Sequence, residues 1–210
     1  MTAQFLLVDT CAYLRLASHV HPNFWGGHPQ YELRSIAETD PEFSGKRLRS
    51  KKVWPNRDPH PALRKKWQLK VTRPQLNEII ASEPQVLEFA EAALEEQIAH
   101  RRKFDGAGEA IEFLSPTDLR LLSTAYYFGH GVLTDDYALK LAAREFDLAV
   151  VTSLQMLKYF FDLKFVDSAK VDNIMQQWHA GDDLPHLGWV SEFKDFFKRA
   201  APKLLAAAAK

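Results

Sequence analysis

Phe5-Leu6-Leu7-Val8-Asp9-Thr10 is the stretch on which the reading of the fold turns. Four apolar residues in a row, bounded at once by a carboxylate, suit a strand buried on both faces of a parallel sheet. The acid then stands at the strand's carboxyl end, the edge at which open α/β sheets bind ligands. Asp is also a favoured N-cap, so Asp9 taken alone reads equally well as the cap of the helix that follows. The balance shifts because the pattern returns. Gly131-Val132-Leu133-Thr134-Asp135-Asp136 is again an apolar strand ending in carboxylates.

The rest of the chain is read outward from these two strands. A helix is predicted over Ala12–Val20, stopping in the His, Pro and Gly turn chemistry of residues 21–29. Tyr31–Ala37 is read as a short helix and Leu69–Val71 as a second strand. Thr72 or Arg73 opens a helix with Pro74 in its first turn, and Val86–Arg102 is expected as a separate helix before a loop at Gly106 and Gly108. Ser115-Pro116-Thr117-Asp118 is a helix-start signature for a helix ending at Gly129. A helix (Tyr137–Glu145), a strand (Leu148–Thr152) and a helix (Leu154–Phe161) follow. From Val171 the tail is amphipathic and helical, and its Trp178, Trp189, Phe193, Phe196 and Phe197 are read as packing. Strands alternating with helices in this order indicate a parallel sheet with right-handed crossovers.

The 210 residues, 46% hydrophobic and 26% charged, suit one globular domain with an elaboration. A single cysteine, Cys11, rules out an internal disulfide and fits a reducing compartment. No signal-peptide pattern and no membrane-length apolar stretch is visible, so a cytoplasmic protein without membrane contact is expected. Net charge is zero but segregated: eleven basic residues between Lys46 and Arg73 face one acid, Asp58, while the remainder is acidic. Such polarity suggests a polyanion-binding face beside an acidic site. The aromatics Trp54 and Trp67 within the basic stretch favour a nucleic-acid surface built from Arg47, Arg49, Lys51, Lys52, Arg57, Arg64, Lys65 and Lys66. His19, His21 and His28 lack the cysteines or second ligand cluster that a zinc site needs.

In a parallel sheet, strand ends and helix starts share an edge, so Asp9, Asp118 and the Asp135-Asp136 pair are expected to converge, with Glu78 early on its helix as a further acid. Like charges held together raise one another's pKa, and a hard divalent cation resolves the conflict. Carboxylates and water are the ligands that Mg²⁺ and Mn²⁺ prefer, and two such ions can clamp both oxygens of a phosphodiester under hydrolysis. The competing reading of Asp118 is a capping box; that of Asp135-Asp136 is a helix cap, and that of Glu78 a solvated helix residue.

Val8-Asp9-Thr10, the Glu78-Ile79-Ile80 helix, Leu114-Ser115-Pro116-Thr117-Asp118 and Leu133-Thr134-Asp135-Asp136-Tyr137-Ala138-Leu139 together resemble the four acidic motifs of PIN-domain nucleases, in the family's order. The last motif looks especially like the form found in ribosome-processing members. The resemblance implies a PIN-like α/β/α sandwich over residues 1–167, with a basic insertion at about 19–70 and a helical extension, 168–210, packed on the same domain. It implies a Mg²⁺- or Mn²⁺-dependent endonuclease, acting on RNA with DNA as the open alternative, that leaves a 5′-phosphate and a 3′-hydroxyl. Asp9, Asp118 and one of Asp135 and Asp136, with Asp136 favoured, would be metal ligands, and Glu78 a ligand directly or through water; Glu83 stands near it. Thr10 or Thr134 would orient a carboxylate. The 69 positions from Asp9 to Glu78 depart from minimal toxin-type members.

Other classes fit less well. A phosphatase of the haloacid dehalogenase type needs an Asp where Cys11 stands, and a receiver domain needs paired acids where Asp9 stands alone. A dinucleotide-binding domain needs a Gly-x-Gly-x-x-Gly that is missing after the first strand. An inactive PIN scaffold that binds nucleic acid or protein, and a toxin held by an antitoxin or other protein partner, stay open. So does the oligomeric state, a homodimer among the options.

Overall fold

Leu6 and Val8 lie on one side of the first strand, β1 (Gln4–Val8), and Leu7 on the other, as the pleat requires. Each side meets its own hydrophobic cluster. The structure, a computed structural model, describes residues 4–20, 30–44, 60–105, 114–181, 183–185 and 188–204, backbone alone at 43–44 and 98–105.

Among these residues β1 pairs in parallel with β2 (Tyr31–Arg34) on one side and β3 (Gly131–Leu133) on the other, and β3 pairs in parallel with β4 (Val150–Val151). The sheet order is β2-β1-β3-β4. Helices cover both faces. On one, Leu6, Val8, Leu33, Leu133 and Val151 share a cluster with α1 (Thr10–Ala17) and with helices from the C-terminal third. On the other, Leu7 and Val132 pack with three helices from the middle of the chain. The protein is thus an α/β fold on a parallel sheet, and the unbroken apolar run of β1 follows from its central place. Gly131 is fixed by close approach: a Cβ there would come within 2.5 Å of the Leu6 side chain and 2.8 Å of the Ala149 carbonyl.

After β2, a 3₁₀ turn at Ala37–Thr39 leads into the short helix α2 (Asp40–Ser44). Next come α3 (Pro61–Lys66), the long α4 (Arg73–Asp105) and α5 (Pro116–Phe128), then β3. The helix α6 (Tyr137–Glu145) leads to β4, followed by α7 (Ser153–Asp162), α8 (Ser168–Ala180) and α9 (Trp189–Phe197). Trp178 of α8 and Phe193 of α9 are fully buried in the same cluster as Leu6 and Val8, so the described part of the tail belongs to the core. No helix among the described residues is long and apolar enough to cross a membrane.

Three elements differ from the sequence reading. Tyr31–Arg34 is the edge strand β2, not a helix: four residues are too few to display a helical period, and only Leu33 of them is buried. Leu69–Val71 is not a strand; its neighbour Gln68 makes a single parallel bridge with Ser35. The two helices expected around Pro84 are one continuous helix, α4. A proline inside a helix removes one hydrogen bond and costs about 3 kcal/mol, but Pro84 is exposed while Ile79, Val86, Ala90 and Leu94 on either side of it are buried. Burial of both halves outweighs the lost bond.

Trp178→Ala is expected to lower the unfolding free energy by about 3–5 kcal/mol, read from urea denaturation. An unchanged midpoint would mean that α8 stands outside the cooperative unit.

Candidate active site at the carboxyl edge of the sheet

Because all four strands run in parallel, their carboxyl ends line one edge, and the helices that follow begin there. Asp9 leaves β1 in extended backbone geometry (φ −63°, ψ 148°) and caps α1, its carboxylate accepting the Cys11 N–H at 3.4 Å. Asp136 ends the β3 motif and caps α6, accepting the Leu139 N–H at 2.7 Å. Asp118, in the first turn of α5, forms a reciprocal capping box with Ser115: it accepts the Ser115 N–H at 3.1 Å and hydroxyl at 2.6 Å, and its own N–H reaches Ser115 Oγ at 3.2 Å. Asp9 and Asp136 are N-caps, and Asp118 is the reciprocal member of the Ser115 capping box. Capping and clustering are therefore not alternatives here, since the caps are what fix the carboxylates at the edge.

Thr134 ties two of the motifs together. Its hydroxyl donates to Asp9 Oδ2 at 3.1 Å and accepts the Asp136 N–H at 3.0 Å. Thr10, next to Asp9, donates its hydroxyl to Glu42 of α2.

Burial and neighbouring charge both act on these acids. Burial, then the Asp118 carboxylate and more weakly that of Asp136, push Asp9 up to about 7, against the Thr134 and Cys11 hydrogen bonds. Burial also raises Asp118, with Asp136 and Glu42 adding to it and the Ser115 bonds opposing. Asp9 thus feels the charges of Asp118 and Asp136, and Asp118 those of Asp136 and Glu42. Glu42 was missed in sequence because its signal depends on β2: only once Tyr31–Arg34 is a parallel strand does the segment after it fall on the same edge.

Glu78 is elsewhere. It lies on the exposed side of α4 and accepts the Tyr127 hydroxyl at 2.5 Å. Tyr127 is in the last turn of α5 and Asp118 in the first, a rise of about 13 Å along the axis. Its neighbour Glu83 is ion-paired with Arg120, which also pairs with Glu38. Asp135, the other open choice, faces inward. It pairs with buried Arg15 and accepts the Ser153 N–H at 3.0 Å, while Arg15 also holds Asp183 at 2.8 Å. Of the two adjacent acids, Asp136 joins the cluster and Asp135 neutralises a buried guanidinium.

The basic segment divides as well. Arg64 is buried and ion-paired with Asp40, so it is not presented for nucleic acid; Lys65 and Lys66 are exposed, Lys66 lying over the Trp67 ring. Lys46, Arg47, Arg49, Lys51, Lys52, Arg57 and Trp54 lie outside the described residues, as do His21 and His28. Half-buried His19 is pushed down to about 4 by burial and then by Lys170, which keeps it neutral.

Among the described residues no group of three or more His, Cys, Asp or Glu side chains is set around one point so as to hold a metal ion. The donors at the edge are nonetheless hard carboxylate oxygens whose mutual repulsion a divalent cation would relieve. The chain matches no family model, and no curated protein or solved structure is significantly similar to it.

Two outcomes follow from this geometry. Asp135→Ala takes one of two carboxylates from buried Arg15 and leaves the Ser153 N–H without its acceptor, and is expected to cost about 3 kcal/mol, whereas Asp136→Ala removes a helix cap at about 1 kcal/mol; equal losses in urea denaturation would contradict the division of roles. The second outcome concerns pH. Asp9 binds its proton more tightly folded than unfolded, so its contribution to stability is present below the ordinary carboxylate range and lost as pH rises towards 7. In chelator, Asp9→Asn is therefore expected to melt above the wild type at about pH 8, with the gap closing towards about pH 4. Parallel melting curves across that range would contradict it.

Proposed function

We propose that the protein is a PIN-like, Mg²⁺- or Mn²⁺-dependent endonuclease that hydrolyses phosphodiester bonds of RNA. The observation that carries the reading is the mutual repulsion of Asp9, Asp118 and Asp136 at the sheet edge, joined to the order of the acidic motifs along the chain. These three carboxylates would hold the cation, with Glu42 as the fourth acid in place of Glu78. When bound, such an ion neutralises phosphate charge and lowers the pKa of water enough for attack at phosphorus.

The chain's own residues prepare the site. Helix caps fix Asp9, Asp118 and Asp136 before any ligand arrives. The Thr134 hydroxyl keeps the first and last motifs in register. Burial of Asp9 strengthens every electrostatic interaction that it makes. Exposed Lys65, Lys66 and Lys70 offer phosphate contacts. RNA, not DNA, rests on the resemblance.

Cleavage of mixed-sequence RNA in Mn²⁺ tests the reading. Asp118→Asn and Asp136→Asn are expected to lose at least about 100-fold, Glu42→Gln about 10-fold or more, and Glu78→Gln little. Cleavage that survives Asp118→Asn would sink the proposal. A second reading, a PIN-like module that binds nucleic acid or a protein partner without cutting, is favoured by the lack of a ready-made three-ligand set among the described residues. RNA binding with no cleavage in either metal would select it.

A further inference from the structure

Arg64 lies in the middle of the basic stretch, yet its side chain is turned away from solvent. Its side chain is 4% exposed and ion-paired with Asp40, whose own side chain is 37% exposed. Asp40 opens α2, and Glu42 is two residues further on. Removing a buried guanidinium's partner is costly, so this pair is a firm tie between α3 and α2.

The tie does not stand alone. The Arg64 carbonyl accepts the buried Ser35 hydroxyl at 3.3 Å, and the Leu69 N–H reaches the Ser35 carbonyl at 2.8 Å. With the Ser35–Gln68 bridge, these bonds sew α3 and the residues after it to the carboxyl end of β2. From there Ile36 and Thr39, both buried, lead into α2. Arg120 of α5 holds Glu38 from the other side at 3.1 Å. A helix as short as α2 has little stability of its own. The position of Glu42 against Thr10 and Asp118 therefore depends on what clamps its ends.

We infer that Arg64 is a positioning residue: through Asp40 it holds α2 so that Glu42 joins Asp9 and Asp118, and it thereby couples the basic segment to the acidic edge. The inference rests on the reading of that edge as a metal site. One helix carries both parts, since Lys65 and Lys66 are exposed beside Arg64, which reaches inward. A phosphate chain bound along the outside of α3 would lie on the element that props the fourth carboxylate. Arg64 itself touches no substrate.

The test has a metal-dependent and a metal-free arm. Mn²⁺ affinity is measured by calorimetry for wild type, Glu42→Gln, Arg64→Ala, Asp40→Asn and the double variant Arg64→Ala/Glu42→Gln. Amide hydrogen exchange over residues 36–44 is measured in chelator. Asp40→Asn breaks the tie from the more exposed side, should Arg64→Ala fold poorly. Both variants are expected to weaken Mn²⁺ binding roughly tenfold, as a lost outer-shell contact does, and to speed exchange at residues 40–44. The double variant is expected to bind no worse than Glu42→Gln, because both changes act on the same carboxylate. Losses that add in the double variant would overturn the inference. So would unchanged Mn²⁺ affinity and exchange alongside weakened RNA binding, the pattern of a phosphate contact. If the wild type binds no Mn²⁺, the metal-site reading fails, and the exchange arm still decides Arg64: unaltered protection at residues 40–44 would overturn its role.

Discussion

A buried carboxylate with acidic neighbours, Asp9 at the sheet edge, is the constraint on which the rest of this structure depends. Asp9 sits at the end of a central strand, almost removed from water, and burial first, then the Asp118 charge and more weakly that of Asp136, push it up to about 7. Such an arrangement is unfavourable in isolation, and the fold pays for it with directed hydrogen bonds. Asp9 and Asp136 are helix N-caps and Asp118 lies in the first turn of α5, where backbone N–H groups and the positive end of the helix stabilise negative charge. The Thr134 hydroxyl serves Asp9 and the backbone of Asp136 at once. A chain selected for stability alone would place such acids apart. Their nearness is what gives the edge its chemical character.

A second layer beneath the edge keeps it in shape. Asp135 looks from the sequence like a twin of Asp136, but successive residues of an extended segment point in opposite directions. One meets the cluster and the other meets Arg15, which also gathers Asp183 and lies over the Trp178 ring. Through this buried group, α1, the β3 motif and the segment between α8 and α9 are locked to one another. The C-terminal helices thus bear on the position of the acids without supplying one of the four. On the other flank Arg64 and Arg120 clamp the segment carrying Glu42. Arginines here act as fasteners with fixed geometry, a role their planar fork suits better than the flexible lysine head.

The central strands were legible because their signal is local. The apolar runs ending in Asp9 and Asp135-Asp136, the Ser115 capping box and the Gly129 stop each declare themselves within a few residues, and the parallel sheet follows from their order. Tyr31–Arg34 was not legible, because an edge strand of four residues has neither the apolar run of a central strand nor a period long enough to count. Losing β2 lost Glu42 with it, since nothing else in the sequence says which edge that acid reaches. Glu78 was chosen on its place near a helix start, but the helix continues through Pro84 and the residue faces Tyr127 at the far end of α5. The inward turn of Arg64 had no signal either. In a run of basic residues, nothing local separates the one that meets an acid across a fold from those that meet water.

The central claim is that Asp9, Asp118, Asp136 and Glu42 form one cation site at the carboxyl edge of the sheet. Anomalous scattering from crystals soaked in Mn²⁺ tests it most directly. The account predicts Mn²⁺ density beside Asp9, Asp118, Asp136 and Glu42, and none beside Glu78. Density at Glu78 or Asp135, or an edge that stays empty at saturating Mn²⁺, would contradict it.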